Sequence, residues 1–547
     1  MPSKLSHTNR IAVVAVGLLA LIIAIPVALR DTEVVDNAAA HQLVVVSPHN
    51  EAIRYEFEQA FARHCRARGL DVDIDWRTPG GTSEIVRFVR DQYLATFKQQ
   101  WEQEGNAWSA DVRNAVLDRR LQRETASAEQ WQARQTFLNS DAGIGVDLFF
   151  GGGTYEYGQM ADEGILVPCG VRERHPDWFE GPEPILEQEA AGEVWYDPGD
   201  RFYGACLSSF GLCFNPDRWQ QLGLGDGEDS WPQHWDDLAD PRLMGQIGAA
   251  DPSKSGSITK CFEMLIQEKL AAAVAAHCPP APTPTDLGAA LAKGWEDAML
   301  LIKEIGGNAR YFTFSAGKVP VDVSDGAVVA GMCIDFYGRS QAEWSRRTLG
   351  RETLRYRTPV GGSSISADPI GLFRGAPHPE TALMFIDFVL SPEGQRLWNY
   401  RVDTPGGPVR YSLRRLPIRR DLYADADRRQ MADPEADPFL LASRFTYHPE
   451  WTGPLFNLMR LMIRVMIIDC HDELRDAWRA ICENGGPETN PEAMELLARL
   501  PVTFADAPGV AREMRDSSRQ IEILRAWAVF FRDSYRRART AATATAR

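Results

Sequence analysis

Phe202-Tyr-Gly-Ala-Cys-Leu-Ser-Ser-Phe-Gly-Leu-Cys-Phe-Asn-Pro216 opens the stretch that decides the fold, and Asp251-Pro-Ser-Lys-Ser-Gly-Ser-Ile-Thr259 closes it. The first part reads as one long apolar strand with two small hydroxyl residues, Ser208 and Ser209, in its middle. Asn215-Pro216 is a turn signal that ends it. The second part follows a short strand, Gln246 to Ala250, and leads through a Ser- and Gly-rich loop into a helix. Ser255 and Ser257 can cap that helix, and with Ser253 and Gly256 they place its free N–H groups toward an anion. A strand leaving one lobe, followed by an anion-friendly helix start in the next, predicts a cleft between two lobes. Taken alone, the segment reads more simply as an ordinary strand-to-helix connection, because capping serines are common.

Upstream, Gln42 to Val46 is a short strand that stops at Ser47-Pro48-His49-Asn50-Glu51. Ser47 is expected as N-cap, with Pro48 at the first helical position. The helix runs to Ala67, with Ile53, Phe57, Phe61 and Cys65 spaced for one face. Asp71 to Trp76 alternates as a second strand, and Pro79-Gly80-Gly81-Thr82-Ser83 enters another helix. Leu94 to Asn139 is polar and helical, and is expected to pack on the outside of a lobe. Val146 to Phe150 is a buried strand, and Gly151-Gly152-Gly153-Thr154 turns it into a helix. Glycines there let backbone N–H groups approach a ligand, or simply make a tight turn. This β-loop-α order is typical of α/β folds whose ligands sit beyond the strand C-termini.

Downstream, Pro279 to Pro284 is a surface loop and Trp295 to Ile305 an amphipathic helix. Val328 to Ile334 is a strand followed by Asp335-Phe336-Tyr337. Ser364 to Leu372 is another long strand. Pro379 to Leu390 is a helix, and Ser391-Pro392 caps the next one. Beyond about Arg420 the pattern changes to helices at Leu455–Ile481, Pro491–Leu500 and Ile521–Arg539. The basic tail, Arg536, Arg537, Arg539 and Arg547, reads as a solvated end.

A chain of 547 residues exceeds one compact core, so two or more domains are expected. A net charge of −16 argues against a nucleic-acid partner, which would want a basic face. The nine cysteines include no CxxC pair, which disfavours a zinc or redox motif, and their odd number leaves at least one unpaired. Lys4 and Arg10 precede an uncharged apolar run, Ile11 to Leu29, of 19 residues. As a helix it would span roughly 28 Å, close to a bilayer core. Acidic Asp31, Glu33 and Asp36 after it place the N-terminus in the cytoplasm. An uncleaved anchor is favoured over a cleaved signal peptide, because the cleavage pattern is poor. Either way the remaining chain lies outside the cytoplasmic membrane. No HExxH, GxSxG or Walker motif occurs, and the ten histidines show no ligand spacing. Enzyme chemistry, a cofactor and a resident metal site therefore have no support in the sequence.

Several segments resemble one family. Ser47-Pro-His-Asn50, Gly81-Thr82-Ser83, Asp147-Leu-Phe-Phe-Gly-Gly152, Gly211-Leu-Cys-Phe-Asn215 and Trp235-Asp-Asp-Leu-Ala-Asp-Pro-Arg-Leu243 look like type II periplasmic solute-binding proteins of ABC importers. Asp368-Pro-Ile-Gly-Leu-Phe-Arg-Gly-Ala-Pro-His-Pro-Glu380, leading to Phe385-Ile-Asp-Phe-Val-Leu-Ser-Pro-Glu-Gly394, resembles the branch that binds ferric iron, phosphonate, thiamine and sugar phosphates. The resemblance covers roughly residues 42–420. It implies a two-lobed α/β fold with crossover hinge strands, closing over a solute and delivering it to an ABC permease and its ATPase. The crossing would lie near Ser209 to Phe214 and the return near Ser364 to Ile370.

On this basis lobe 1 spans 42–208, with a helical insertion at 94–139, and is completed by 364–420; lobe 2 spans 209–363. Residues 1–30 are the anchor or signal, and 421–547 a helical extension outside the family pattern. The implied ligand contacts are Ser47, Asn50, Thr82, Ser83, Gly153, Thr154, Ser209, Ser253, Ser255, Gly256, Ser257, Asp335 and Tyr337. Hydroxyls and helix-start N–H groups suit a small anionic or polar solute such as a phosphate ester or phosphonate. Ferric iron is the second reading, with Asp335 and Tyr337 supplying part of its hard-oxygen set. A membrane-anchored sensor or scaffold on the same fold is the third.

Overall fold

Tyr203–Phe214 is a single strand of 12 residues, buried along its whole length, and it belongs to two lobes at once. The computed structural model describes residues 41–545. Before this strand come β1 (His41–Val46), β2 (Val72–Arg77) and β3 (Leu148–Phe150), and with the two-residue strands Leu166–Val167, Glu189–Ala190 and Glu193–Val194 left unnumbered it is labelled β4. After it come β5 (Ile247–Ala250), β6 (Ala309–Thr313), β7 (Ala330–Ile334), β8 (Arg355–Arg357), β9 (Ile365–Phe373) and β10 (Leu416–Pro417). The sheet runs β2-β1-β3-β9-β4-β7-β5-β6, with β8 and β10 also paired to β4.

The first half of β4, Tyr203 to Ser209, pairs antiparallel with β9. The second half, Phe210 to Phe214, pairs antiparallel with β7. The exchange of partners falls between Ser209 and Phe210, where the crossing is expected. A strand covered on both faces is apolar on both, which is why this one, Ser208 and Ser209 apart, shows no alternation. The return lies at Ser363 and Ser364, both buried, and the Phe210 amide donates to Ser363 Oγ at 3.0 Å.

Lobe 1 adds α1 (Glu51–Arg66), α2 (Thr82–Gln103), α3 (Ala110–Val116), α4 (Ala128–Leu138) and α5 (Thr154–Glu163). Lobe 2 adds α6 (Gly256–His277), α7 (Pro284–Asn308) and α8 (Asp335–Leu349). The chain then completes lobe 1 with α9 (Pro379–Leu390) and α10 (Pro392–Asn399). Strand β1 has the period of two that a covered sheet requires. Leu43 and Val45 join one apolar cluster with Phe57, while Val44 and Val46 join another with Ile85.

Two local expectations are corrected. The N-cap of α1 is Asn50, whose Oδ1 accepts from the Ile53 amide at 3.1 Å. Ser47 still belongs to the strand end: its amide donates to the Arg77 carbonyl and its hydroxyl to the Phe150 carbonyl at 2.7 Å. The helical insertion does not lie outside a finished lobe. Trp101 of α2, Val112 of α3 and Phe137 of α4 are buried together with Val46 and Phe149. Each such side chain contributes about 1.5–3 kcal/mol on burial, so these helices form one face of the lobe 1 core.

The extension ends in α11 (Phe456–Ile463), α12 (His471–Glu483), α13 (Pro491–Ala498) and α14 (Ser517–Thr545). The expected helix Leu455–Ile481 is interrupted by a π-helical turn at Arg464–Asp469. Ile467, Trp478, Phe531 and Tyr535 share one core with Trp295 and Ile302 of α7. A Cβ at Gly307 would stand 2.6 Å from the Trp478 ring, so glycine permits this close approach. In the basic tail, Arg536 and Arg539 pair with Glu473 and Asp476 on α12. All nine cysteines are free thiols, seven of them buried. The expected membrane segment, Ile11–Leu29, lies outside the described residues. Among the described residues, no helix is long and apolar enough to cross a membrane.

Candidate functional site

A cleft of about 300 Å³ lies where the strand ends of the two lobes face each other. Asn50, Thr82, Ser83, Gly153, Thr154, Ser255, Gly256, Ser257 and Tyr337 line it. Four other expected contacts do not. Ser47 is spent on the Phe150 carbonyl and the His49 amide. Ser209 and Asp335 are fully buried and bonded to each other, the Ser209 amide donating to Asp335 Oδ2 at 3.1 Å. Asp335 begins α8 and also accepts from the Phe336 amide, so its carboxylate faces the hinge rather than the cleft. Ser253 stands just behind the lining loop, its amide donating to Asp251 Oδ1 at 2.7 Å and its buried hydroxyl unpaired.

The floor of the cleft is built by a bulge. Between Asp368 and Pro369 the register of β9 against β4 slips by one residue. Proline cannot donate to a ladder, so a central strand holds it at such an irregularity. The Ala205 carbonyl freed by the slip accepts from Gln395 Nε2 at 2.6 Å. Asp368 lines the cleft beside Arg415 and His49. Arg415 Nη1 sits 2.6 Å from Asp368 Oδ2, and Nη2 donates to Ser208 Oγ at 2.9 Å. Its guanidinium carbon lies 4.5 Å from the centre of the Phe336 ring, a cation–π arrangement. Arg415 is 1% exposed, and its Nε has no hydrogen-bond partner.

Burial works against the Asp368 carboxylate, but Arg415 and His49 together hold it below the usual carboxylate range. Burial also opposes the Arg415 charge, and Asp368 overcomes it, leaving the guanidinium more basic than usual. Burial drives the His49 imidazole down, so it is neutral at pH 7. Its Nε2 stands 3.6 Å from Asp368 Oδ2, just beyond hydrogen-bond distance, and Nδ1 has no partner. The ring leans on Gly151, where φ is +96° and a Cβ would stand 2.5 Å from His49 Nε2. That position requires glycine.

The opposite wall is the start of α6. Ser255 is its N-cap, and Ser255 Oγ and Ser257 Oγ lie 3.1 Å apart. One turn on, Lys260 Nζ meets Glu193 Oε1 at 3.1 Å and Glu263 Oε2 at 2.9 Å. Burial lowers the basicity of this lysine and the two carboxylates more than restore it. The helix start thus carries N–H groups, hydroxyls and a held ammonium along the cleft that Arg415 also lines.

Arg415, His49 and Asp368 are among the cleft residues not singled out from sequence. Arg415 sits in Leu413-Arg-Arg-Leu-Pro-Ile418, where charges inside an apolar run signal a paired, buried group. His49 lies within the Ser-Pro-His-Asn turn and Asp368 within the strand motif, but neither spacing tells which way the side chain points.

Residues 184–417 match the family described as bacterial extracellular solute-binding protein. Phosphoglycerate transport regulatory protein PgtC of Salmonella typhimurium is 25% identical over 304 residues, 55% of this chain and 63% of that protein. The chain thus spans less than two thirds of that relative's length. Among solved structures, iron-bound HitA from Pseudomonas aeruginosa is 16% identical, with a TM-score of 0.45, over 77% of this chain and 99% of its own. The periplasmic binding protein AfuA from Actinobacillus pleuropneumoniae, with fructose-6-phosphate bound, is 16% identical, with a TM-score of 0.39, over 65% and 81%.

Proposed function

We propose, from the match of residues 184–417 to the bacterial extracellular solute-binding protein family, that this chain captures a small anionic solute between its lobes and delivers it to an ABC permease and its ATPase. The observation that carries this reading is Arg415. Its guanidinium is buried at the cleft floor with Nε unpaired, and the serine-lined start of α6 lines the same cleft. A phosphate or carboxylate between them would accept from Arg415, from the hydroxyls and from the helix-start N–H groups. His49 would then orient a neutral hydroxyl of the same solute. The name of the Salmonella relative, which couples its transport role to phosphoglycerate, fits a phosphate ester.

The ferric-iron reading is the weaker one. Tyr337 lines the cleft while Asp335 turns to the hinge, so the two do not converge as hard-oxygen ligands. Among the described residues no group of three His, Cys, Asp or Glu side chains is placed to hold a metal ion. The sensor reading keeps one support: the helical extension lies beyond the family match, and the relative is named a regulatory protein. In either role the binding lobes lie outside the cytoplasmic membrane, with Ile11–Leu29 as the anchor.

The test is native mass spectrometry of the protein purified from its own cells, followed by calorimetry with a panel of phosphate esters, phosphonates and Fe³⁺. A co-purified or titrated organic anion is expected. Binding of Fe³⁺ with no affinity for any anion in the panel would refute the reading. A transport-deficient deletion strain separates importer from sensor, because a sensor's loss alters gene expression while uptake of the solute continues.

A further inference from the structure

The residues after 417 lie beyond the family match, yet four of them, Tyr447, Gly453, Phe456 and Arg460, line the cleft. This part of the extension is rooted in lobe 2. Tyr447 OH and Thr452 Oγ1 both donate to Glu263 Oε1 of α6, at 2.8 and 2.6 Å. Leu458, Met459 and Met462 of α11 are buried in the lobe 2 core. From that base α11 reaches across to lobe 1. Phe456 packs on Tyr155 of α5, ring centres 5.6 Å apart.

Arg460 makes the link between the lobes. Its Nη1 donates to Ser83 Oγ in the first turn of α2, in lobe 1, at 3.2 Å. Its Nη2 donates to the Ser253 carbonyl, in the loop that leads into α6 of lobe 2. One planar group with donors in a fixed fork therefore ties together two of the loops that face the solute. The bond to Ser83 exists only while the lobes are close, whereas the bond to Ser253 lies within lobe 2 and fixes the fork in place. An interaction made in the closed state and absent from the open one shifts the population toward closure, whether or not solute is bound.

We propose that the C-terminal extension is a latch carried by lobe 2, and that Arg460 holds the solute-free cleft closed by tying the Ser83 loop to the Ser253 loop. Hinge opening about β4 and β9 has to release Arg460 from one side before solute can enter. Loss of the charge-assisted bond to Ser83 should lower the closed-to-open ratio by on the order of tenfold to a hundredfold. Arg460 acts here as a positioning residue.

The experiment is small-angle scattering of the full, solute-free chain, comparing the unmodified protein with Arg460→Gln and Ser83→Ala. Melting temperature and circular dichroism are measured alongside. Both variants are expected to have a larger radius of gyration and a longer maximum dimension, with unchanged helix content. Arg460→Lys, which offers one ammonium in place of the fork, should fall between. Ser83→Ala removes the lobe 1 partner from a partly exposed helix start, so it carries the test even where Arg460→Gln lowers expression. Superimposable scattering from the unmodified protein and Ser83→Ala, or a fall in melting temperature without expansion, would overturn the latch. Because no solute is added, either result leaves the identity of the bound anion to its own experiment.

Discussion

Lys303 of α7 is fully buried, and its Nζ donates to the carbonyls of Leu497 and Arg499 at 2.7 and 2.8 Å. It lies 5.4 Å from the centre of the Phe531 ring. No carboxylate pairs with it among the described residues, and burial alone pushes its ammonium down to about 7 from 10.5. Lys303→Met keeps the volume and removes the charge. At pH 7 the buried lysine costs about 5 kcal/mol, taking that fall at about 1.36 kcal/mol per pH unit. Methionine relieves this cost but leaves two carbonyls without a donor, at about 1–3 kcal/mol each. The net change at pH 7 is therefore small, and the decisive signal is its pH dependence. Between pH 7 and 10.5 the unfolded chain binds more protons at this position than the folded one, so stability rises with pH. The slope approaches about 1.4 kcal/mol per pH unit and is absent from the variant. Urea unfolding of both proteins at pH 7, 8, 9 and 10 isolates it, because every other titrating group cancels in the difference. Parallel stability curves would refute the reasoning, and would mean that a counter-charge or water reaches Lys303.

The remaining predictions concern the cleft and one acidic pair. Gly151→Ala places a methyl against His49 at a positive φ, and should cost about 1–3 kcal/mol in unfolding free energy and weaken solute binding together. Ser255→Ala with Ser257→Ala should weaken binding of an anionic solute by one to a few decades in calorimetry, at about 1.5–3 kcal/mol per lost bond to charge. Folding should lose only about 1 kcal/mol from the cap at Ser255, so unchanged affinity with a sharply lower melting point would make the loop purely structural. Burial raises the carboxyls of Glu268 and Glu304 to about 7. The folded state then binds more protons than the unfolded one between about pH 4.5 and 7, so stability falls as pH rises through that window. The double variant Glu268→Gln, Glu304→Gln should flatten this part of the stability profile, measured by thermal melts from pH 4.5 to 7.5.

What could be read along the chain was local in origin. The unbroken apolar run of β4 announces a strand covered on both faces, and the Ser-Gly loop before α6 announces a capped helix start. The helix Pro379–Leu390 and its Ser391 cap follow from proline placement and one buried face. These depend on neighbours within a few residues, where periodicity and capping act. The direction of each side chain did not follow. Ser47 and Asn50 are both small polar residues in one turn, but the strand end points the first at Phe150 and leaves the second to cap α1. Asp335 looked like a ligand and Asp368 like part of a strand. The hinge pairing turns the first inward, and the bulge at Pro369 turns the second toward the cleft. Arg415 meets Asp368 across 47 positions of sequence, and Arg460 meets Ser83 across 377. Contacts of that span are set by which strands pair and which helix faces bury, so they belong to the tertiary structure. The sequence by itself determined two α/β lobes and a strand shared between them. Only the packed chain decided which charges reach the cleft, because a charge enters an apolar interior where a distant partner compensates for its desolvation.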